Sequence, residues 1–262
     1  MDVILNIVFK FIFMPHATSI SLENLHPSLW RGSQLARGMG DYVECGYPQL
    51  SLELPGGGWP TGALTELFIE HGGSAELQLL RPALNAHHHG QIVFLQTPYQ
   101  PQASALAQAG LNLDRLLWLR CNKMADALWT AEQILRSGSC AALLYWQSQV
   151  KVEALRRLHL AAQHGRTLFY LIRPLNFALH PSPAILRIQV QLAERGLQLS
   201  FIKRRGAQRH EALFLPMTLP SFMFSRIHLQ AHVSANENDT TTVDRHSFTE
   251  PALRNFSPSL VG

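Results

Sequence analysis

Between Leu64 and Ile172 the sequence alternates short apolar runs of β type with segments of helical periodicity. That alternation is the signature of a parallel sheet covered by helices, so the fold class is α/β. The strands expected are LTELFI (64–69), QIVFLQ (91–96), RLLWL (115–119), CAALLYW (140–146) and TLFYLI (167–172), most of them apolar on both faces, as strands buried on both sides are. Between the third and fourth, Met124, Ala127, Leu128, Ala131, Ile134 and Leu135 form one apolar helical stripe, with Asn122 placed to cap it and Gly138 to stop it. The next crossover puts Val152, Leu155, Leu158 and Ala162 on one side of a helix that Gly165 ends. After Arg173-Pro174 the period changes to two: 185–193 and 197–205 read as an antiparallel hairpin, and 211–217 as one more strand.

A first core strand followed by a glycine turn and a helix is where a phosphate-binding loop would sit, and EHGGSAEL follows LTELFI at that place. Such a loop needs glycines for backbone approach, a lysine for the terminal phosphates and a hydroxyl for Mg²⁺. Gly72 and Gly73 are present and Ser74 can cap the helix, but Ala75 and Glu76 stand about where the lysine and hydroxyl belong. A carboxylate in the first helical turn competes with phosphate for the positive end of the helix dipole. The fourth strand, whose end would supply an acid for Mg²⁺, ends instead in Trp146 and Gln147. These residues describe a degenerate phosphate loop, with no bound cofactor and no catalysis expected.

Other chemistry is weakly represented. His87, His88 and His89 are consecutive and point in different directions on a helix end, which is no chelate; His159 and His164 read as surface or edge residues, and no G-x-S-x-G elbow occurs. No metal site is expected. Cys45, Cys121 and Cys140 are odd in number and contain no CxxC pair, which fits reduced thiols in the cytoplasm. The first fourteen residues are apolar but interrupted by Lys10 and short for a membrane span, so no membrane association is expected; Met14 is a candidate true start. A net charge of +4 is too mild for a general nucleic-acid field. It leaves room for a local patch, and Lys203, Arg204, Arg205 and Arg209 gather around one turn. That turn reads equally as a contact for DNA phosphate or an acidic partner and as a solvated hairpin tip. QLSL (49–52) lacks the aromatic anchor of a sliding-clamp peptide, having Glu53 there, and reads as a helical lead-in to the core.

Taken in order, LWRGSQLA, LPGGGWPTGALTEL, AELQLLRPAL, ALWTAEQILRSGSCAALLYW, LRRLHLAAQHGRTLFYLIRP and KRRG resemble the ImuA family of translesion-synthesis-associated proteins, over about Leu29 to Arg209. That family is similar to RecA in its core and to SulA, the SOS cell-division inhibitor, in the central region. The resemblance implies a RecA-like, mostly parallel sheet with a C-terminal antiparallel hairpin, and a non-catalytic role in an SOS-induced mutasome. The partners implied are an ImuB-like inactive Y-family polymerase, RecA and, indirectly, an error-prone C-family polymerase, with DNA as a further candidate; a SulA-type inhibitor of FtsZ is the alternative. Lys203 and Arg205 resemble the basic segment that reaches nucleotide in a neighbouring subunit of RecA-like ATPases, and are offered here as partner or DNA contacts. The organisation expected is an apolar, irregular segment over 1–26, a short helix and linker over 27–44, a degenerate RecA-like core over 45–220 and a mostly disordered tail over 221–262.

Overall fold

The structure is a computed structural model and describes residues 41–70, 72, 75–86 and 90–218. The expectations for 1–26, for the helix at 27–36, for Gly73, Ser74, His87, His88 and His89, and for the tail lie outside the described residues.

The chain enters through a ribbon of β1 (Tyr42–Glu44) and β2 (Gly58–Pro60), antiparallel, with α1 (Pro48–Glu53) between them. Pro48 opens α1 at a position where its missing N–H costs nothing. Gly58 lies so close to the Val43 carbonyl that a Cβ there would come within 2.3 Å of its oxygen, so only glycine lets the ribbon close.

The core alternates as the sequence expects: β3 (Ala63–Ile69), α2 (Ala75–Ala86), β4 (Gln91–Leu95), α3 (Ala103–Gln108), β5 (Leu116–Leu119), α4 (Met124–Ser137), β6 (Cys140–Trp146), α5 (Val152–Ala162) and β7 (Leu168–Pro174). It then turns antiparallel through β8 (Leu186–Ala193), β9 (Gly196–Lys203) and β10 (Leu213–Pro216). All eight strands from β3 on form one sheet in the order β10-β9-β8-β3-β7-β6-β4-β5. The result is a mixed α/β architecture: a mostly parallel sheet flanked by helices, ending in an antiparallel hairpin extension.

β3 is central, parallel to β7 on one side and β8 on the other, and all seven of its residues are buried. Its near-continuous apolar sequence follows from that position. One core lies between the sheet and α1, α2 and α3, built on Leu79, Leu84, Phe94 and Tyr170; the other lies under α4 and α5, built on Leu64, Leu143, Leu158 and Phe169.

Two details of α4 depart from the sequence reading. The cap position is held by Lys123, without a side-chain bond, and not by Asn122; Gly138 does stop the helix, in the left-handed conformation at φ 61°. Met124 is exposed because it stands at the first turn, beyond the sheet, whereas Glu132 on the expected polar face is buried between Arg136 (2.9 Å) and Arg157. At the sheet edge β5 leaves Leu117 and Trp118 partly exposed, since among the described residues no further strand pairs with it.

Candidate functional site

Strands β3, β4, β5, β6 and β7 all end at one edge of the sheet. The chain leaves β3 and β4 toward the α2 face but leaves β5 and β6 toward the α4 face, and such a divergence opens a crevice at the carboxyl ends of the strands. The crevice here is a cleft of about 450 Å³ that includes Glu70, Gly72, Gln96, Arg120, Trp146 and Arg173 in its walls. Its β4–β5 wall is fixed by Gln96. This residue has a positive φ of 57°, and its side-chain amide donates to the Cys121 carbonyl and accepts from the Cys121 N–H, both at 2.9 Å. A strained backbone held by two side-chain bonds is characteristic of a rigid site wall.

The segment expected from the sequence to be a degenerate phosphate loop reaches this cleft through Gly72, and its Glu76 is bonded within the chain. Glu76 lies in the first turn of α2 and is fully buried, and the Trp146 indole, from the end of β6, donates to its Oε1 at 2.9 Å. Phe94 packs edge-on against the same indole at 5.4 Å between ring centres, fixing the donor's direction. A Cβ on Gly72 would lie 3.7 Å from that Glu76 oxygen, so the carboxylate sits beside Gly72. The two residues that replace nucleotide-handling groups in the sequence are therefore bonded to each other. A phosphate charge brought to within about 4 Å of the Glu76 carboxylate would meet roughly 4 kcal/mol of repulsion at a protein-surface dielectric.

Beneath the cleft lies a buried ion triad that the sequence reading did not find. Glu66, fully buried on β3, accepts from Arg173 Nη1 at 2.9 Å and from Arg187 Nε at 2.7 Å. Further donors are used as well: Arg173 gives two bonds to the Ser148 carbonyl, and Arg187 one to that of His180. Each guanidinium also stacks on an aromatic face, Phe177 and Phe68 respectively. The signal for it in the sequence is a lone acid inside the apolar run ALTELFI, which at the centre of a sheet requires buried cations as partners.

The basic turn lies away from the cleft. β9 runs antiparallel to β8, so Lys203 stands level with Arg187 and the chain continues toward the amino-terminal edge of the parallel strands. Arg204 and Arg209 both pair with Glu53 at the end of α1, Arg204 at 2.5 Å, and Arg204 also donates to the Glu53 carbonyl at 2.7 Å. Burial alone would raise the Glu53 carboxyl, but the Arg204 hydrogen bond and the charges of Arg209 and Arg204 outweigh it and hold the group below its ordinary value. Lys203 and Arg205 are exposed; Lys203 donates to the Ser182 carbonyl at 3.3 Å. The structure thus divides the four basic residues into two that fasten the entry ribbon to the hairpin extension and two that face outward.

His159, at the same edge, accepts the Leu64 N–H through Nδ1 at 3.2 Å. Desolvation, then the charges of Lys203 and Arg205, lower its pKa. Among the described residues no group of three His, Cys, Asp or Glu side chains is placed to hold a metal ion, and no helix is long and apolar enough to cross a membrane.

No protein-family model matches the chain. It is similar to curated proteins described as "Cell division inhibitor SulA": 28% identical over 82 residues to that of Edwardsiella piscicida and 25% identical over 118 residues to that of Yersinia pestis (strain Pestoides F). These stretches cover 31% and 44% of this chain, and 49% and 70% of the respective relatives. The chain thus spans only about half the length of the Edwardsiella relative.

Proposed function

We propose that this chain is a non-catalytic binding module of the SOS DNA-damage response, an ImuA-type accessory of translesion synthesis acting in the cytoplasm through a RecA-like core that does not use nucleotide. The observation that supports the reading is the Glu76–Trp146 bond, which sets a buried carboxylate where a nucleotide-binding loop would hold phosphate. With catalysis removed, the core serves as a scaffold for partners: an ImuB-like inactive Y-family polymerase, RecA and, through them, an error-prone C-family polymerase.

A second reading, a SulA-type inhibitor of FtsZ, is favoured by the similarity to the two inhibitors. The ribbon and α1 support the first instead. They are built into the fold through Glu53 and the two arginines, and the longer inhibitor match takes only 118 residues of the chain. Affinity purification from DNA-damaged cells, followed by crosslinking, separates the two. The adaptor reading expects the ImuB-like protein and RecA; recovery of FtsZ, with filamentous cells on overexpression, would replace it with the inhibitor reading.

A further inference from the structure

The hairpin extension buries one face, and among the described residues the other is left open. Leu186, Ile188, Val190, Leu197, Leu199, Phe201, Leu213 and Leu215 point into the core shared with α2, whereas the core under α4 and α5 contains no residue of β8, β9 or β10. On the open side, strand register places Phe214, Gln198 and Gln191 in one row across the three strands, and Ser200 and Gln189 in the next. At a strand spacing of about 4.8 Å, the first row is a platform about 10 Å wide.

These groups are unengaged. Phe214 is 47% exposed, and Gln189, Gln191, Gln198 and Ser200 form no side-chain hydrogen bond among the described residues. The border is cationic. Lys203 stands in the row that follows, opposite Arg187, whose own guanidinium is buried against Glu66; Arg205 comes two residues later, and Arg156 precedes His159 by one turn of α5. Arg156 and Arg205 carry no ion pair among the described residues; the acids Glu194 and Glu211 lie in the connections before and after β9, and Glu70, which follows the end of β3, adjoins the Gln191 end of the first row.

We infer that this open face of β8, β9 and β10 binds single-stranded nucleic acid. A base stacks on Phe214, the three glutamine amides offer both donors and acceptors to base edges, and Lys203, Arg205 and Arg156 take the phosphates. Stacking platforms bordered by basic residues bind single strands with little sequence preference. An acidic peptide would use the cations but leave the amides and the ring without a role. The inference concerns the strand face and not the interior of the cleft, and holds whichever protein partner is bound, so the purification experiment above does not test it.

The test is fluorescence anisotropy of the full chain with a labelled oligodeoxythymidine of about 16 nucleotides, a length within the range of single-strand sites. Three phosphate contacts give a slope near −2 in log K against log salt, a loss of about 16-fold between 50 and 200 mM. Phe214→Ala should weaken binding at least about fivefold, and Gln191→Glu with Gln198→Glu, which keeps the side-chain shapes, should do the same. Lys203→Ala with Arg205→Ala should flatten the slope by about 1.4. Circular dichroism identifies any variant that fails to fold. The inference is overturned if no oligonucleotide binds at 50 mM salt, if binding survives both the Phe214 and the glutamine variants, or if polyglutamate binds as tightly as the oligonucleotide.

Discussion

Replacing Glu66 with Gln removes the one negative charge that two buried guanidiniums share. In the native fold both carboxylate oxygens are committed, at 2.9 Å to Arg173 and 2.7 Å to Arg187, and Glu66 and Arg173 are essentially inaccessible to water. A glutamine can accept from one arginine only, and its NH₂ then faces the donors of the other. Breaking a buried pair from one side costs about 3–5 kcal/mol, a large share of the roughly 5–15 kcal/mol that holds a domain together. For a domain of this size the loss corresponds to a Tm lower by about 6–20 °C. Urea unfolding followed by circular dichroism reads it directly, with the midpoint falling at constant slope. The triple variant Glu66→Leu, Arg173→Met, Arg187→Met should recover part of the loss but stay below the parent, because the Ser148 and His180 carbonyls lose their donors. A Glu66→Gln variant within about 1 kcal/mol of the parent would refute the reasoning.

Other outcomes follow from the same geometry. Trp146→Phe keeps the ring packing but leaves Glu76 without its indole donor, and should cost about 1.5–3 kcal/mol in the same unfolding assay. His159 is depressed in the folded state, so its share of stability is complete above its unfolded pKa of 6.5 and is lost as pH falls from there through the folded pKa; His159→Gln should flatten stability against pH across that window, while NMR titration of the parent should place the ring below 6.5. Glu53 is likewise held low, so its contribution is present above 4.5 and lost as pH falls through its folded value; Glu53→Gln should remove that dependence and increase proteolysis in the 204–211 connection.

The layers of the fold were legible because strands buried on both faces must be apolar throughout, and because the period changes after Pro174. The small ribbon of β1 and β2 was not, since three-residue strands show no periodicity and this pair depends on a glycine contact with Val43. At the site, the sequence supplied Glu76 and Trp146 as two separate losses, 70 residues apart; only the crossover of β4 beyond β7 and β6 brings the end of β6 over the start of α2. The basic turn was visible as charge. That Arg204 and Arg209 are held by Glu53, more than 150 residues earlier, is a consequence of sheet order that composition does not carry. The triad was missed for the opposite reason: Glu66 lies inside a strand pattern so apolar that the single acid passed as a flaw, although a buried carboxylate cannot stand without cations.

The proposed closure of the phosphate position by the Glu76 carboxylate is tested by isothermal titration of the protein with ATP and Mg²⁺. No saturable heat is expected up to millimolar ATP. Saturable binding tighter than about 100 µM, equivalent to roughly 5.5 kcal/mol, would mean that Glu76 gives way to phosphate, and would contradict it.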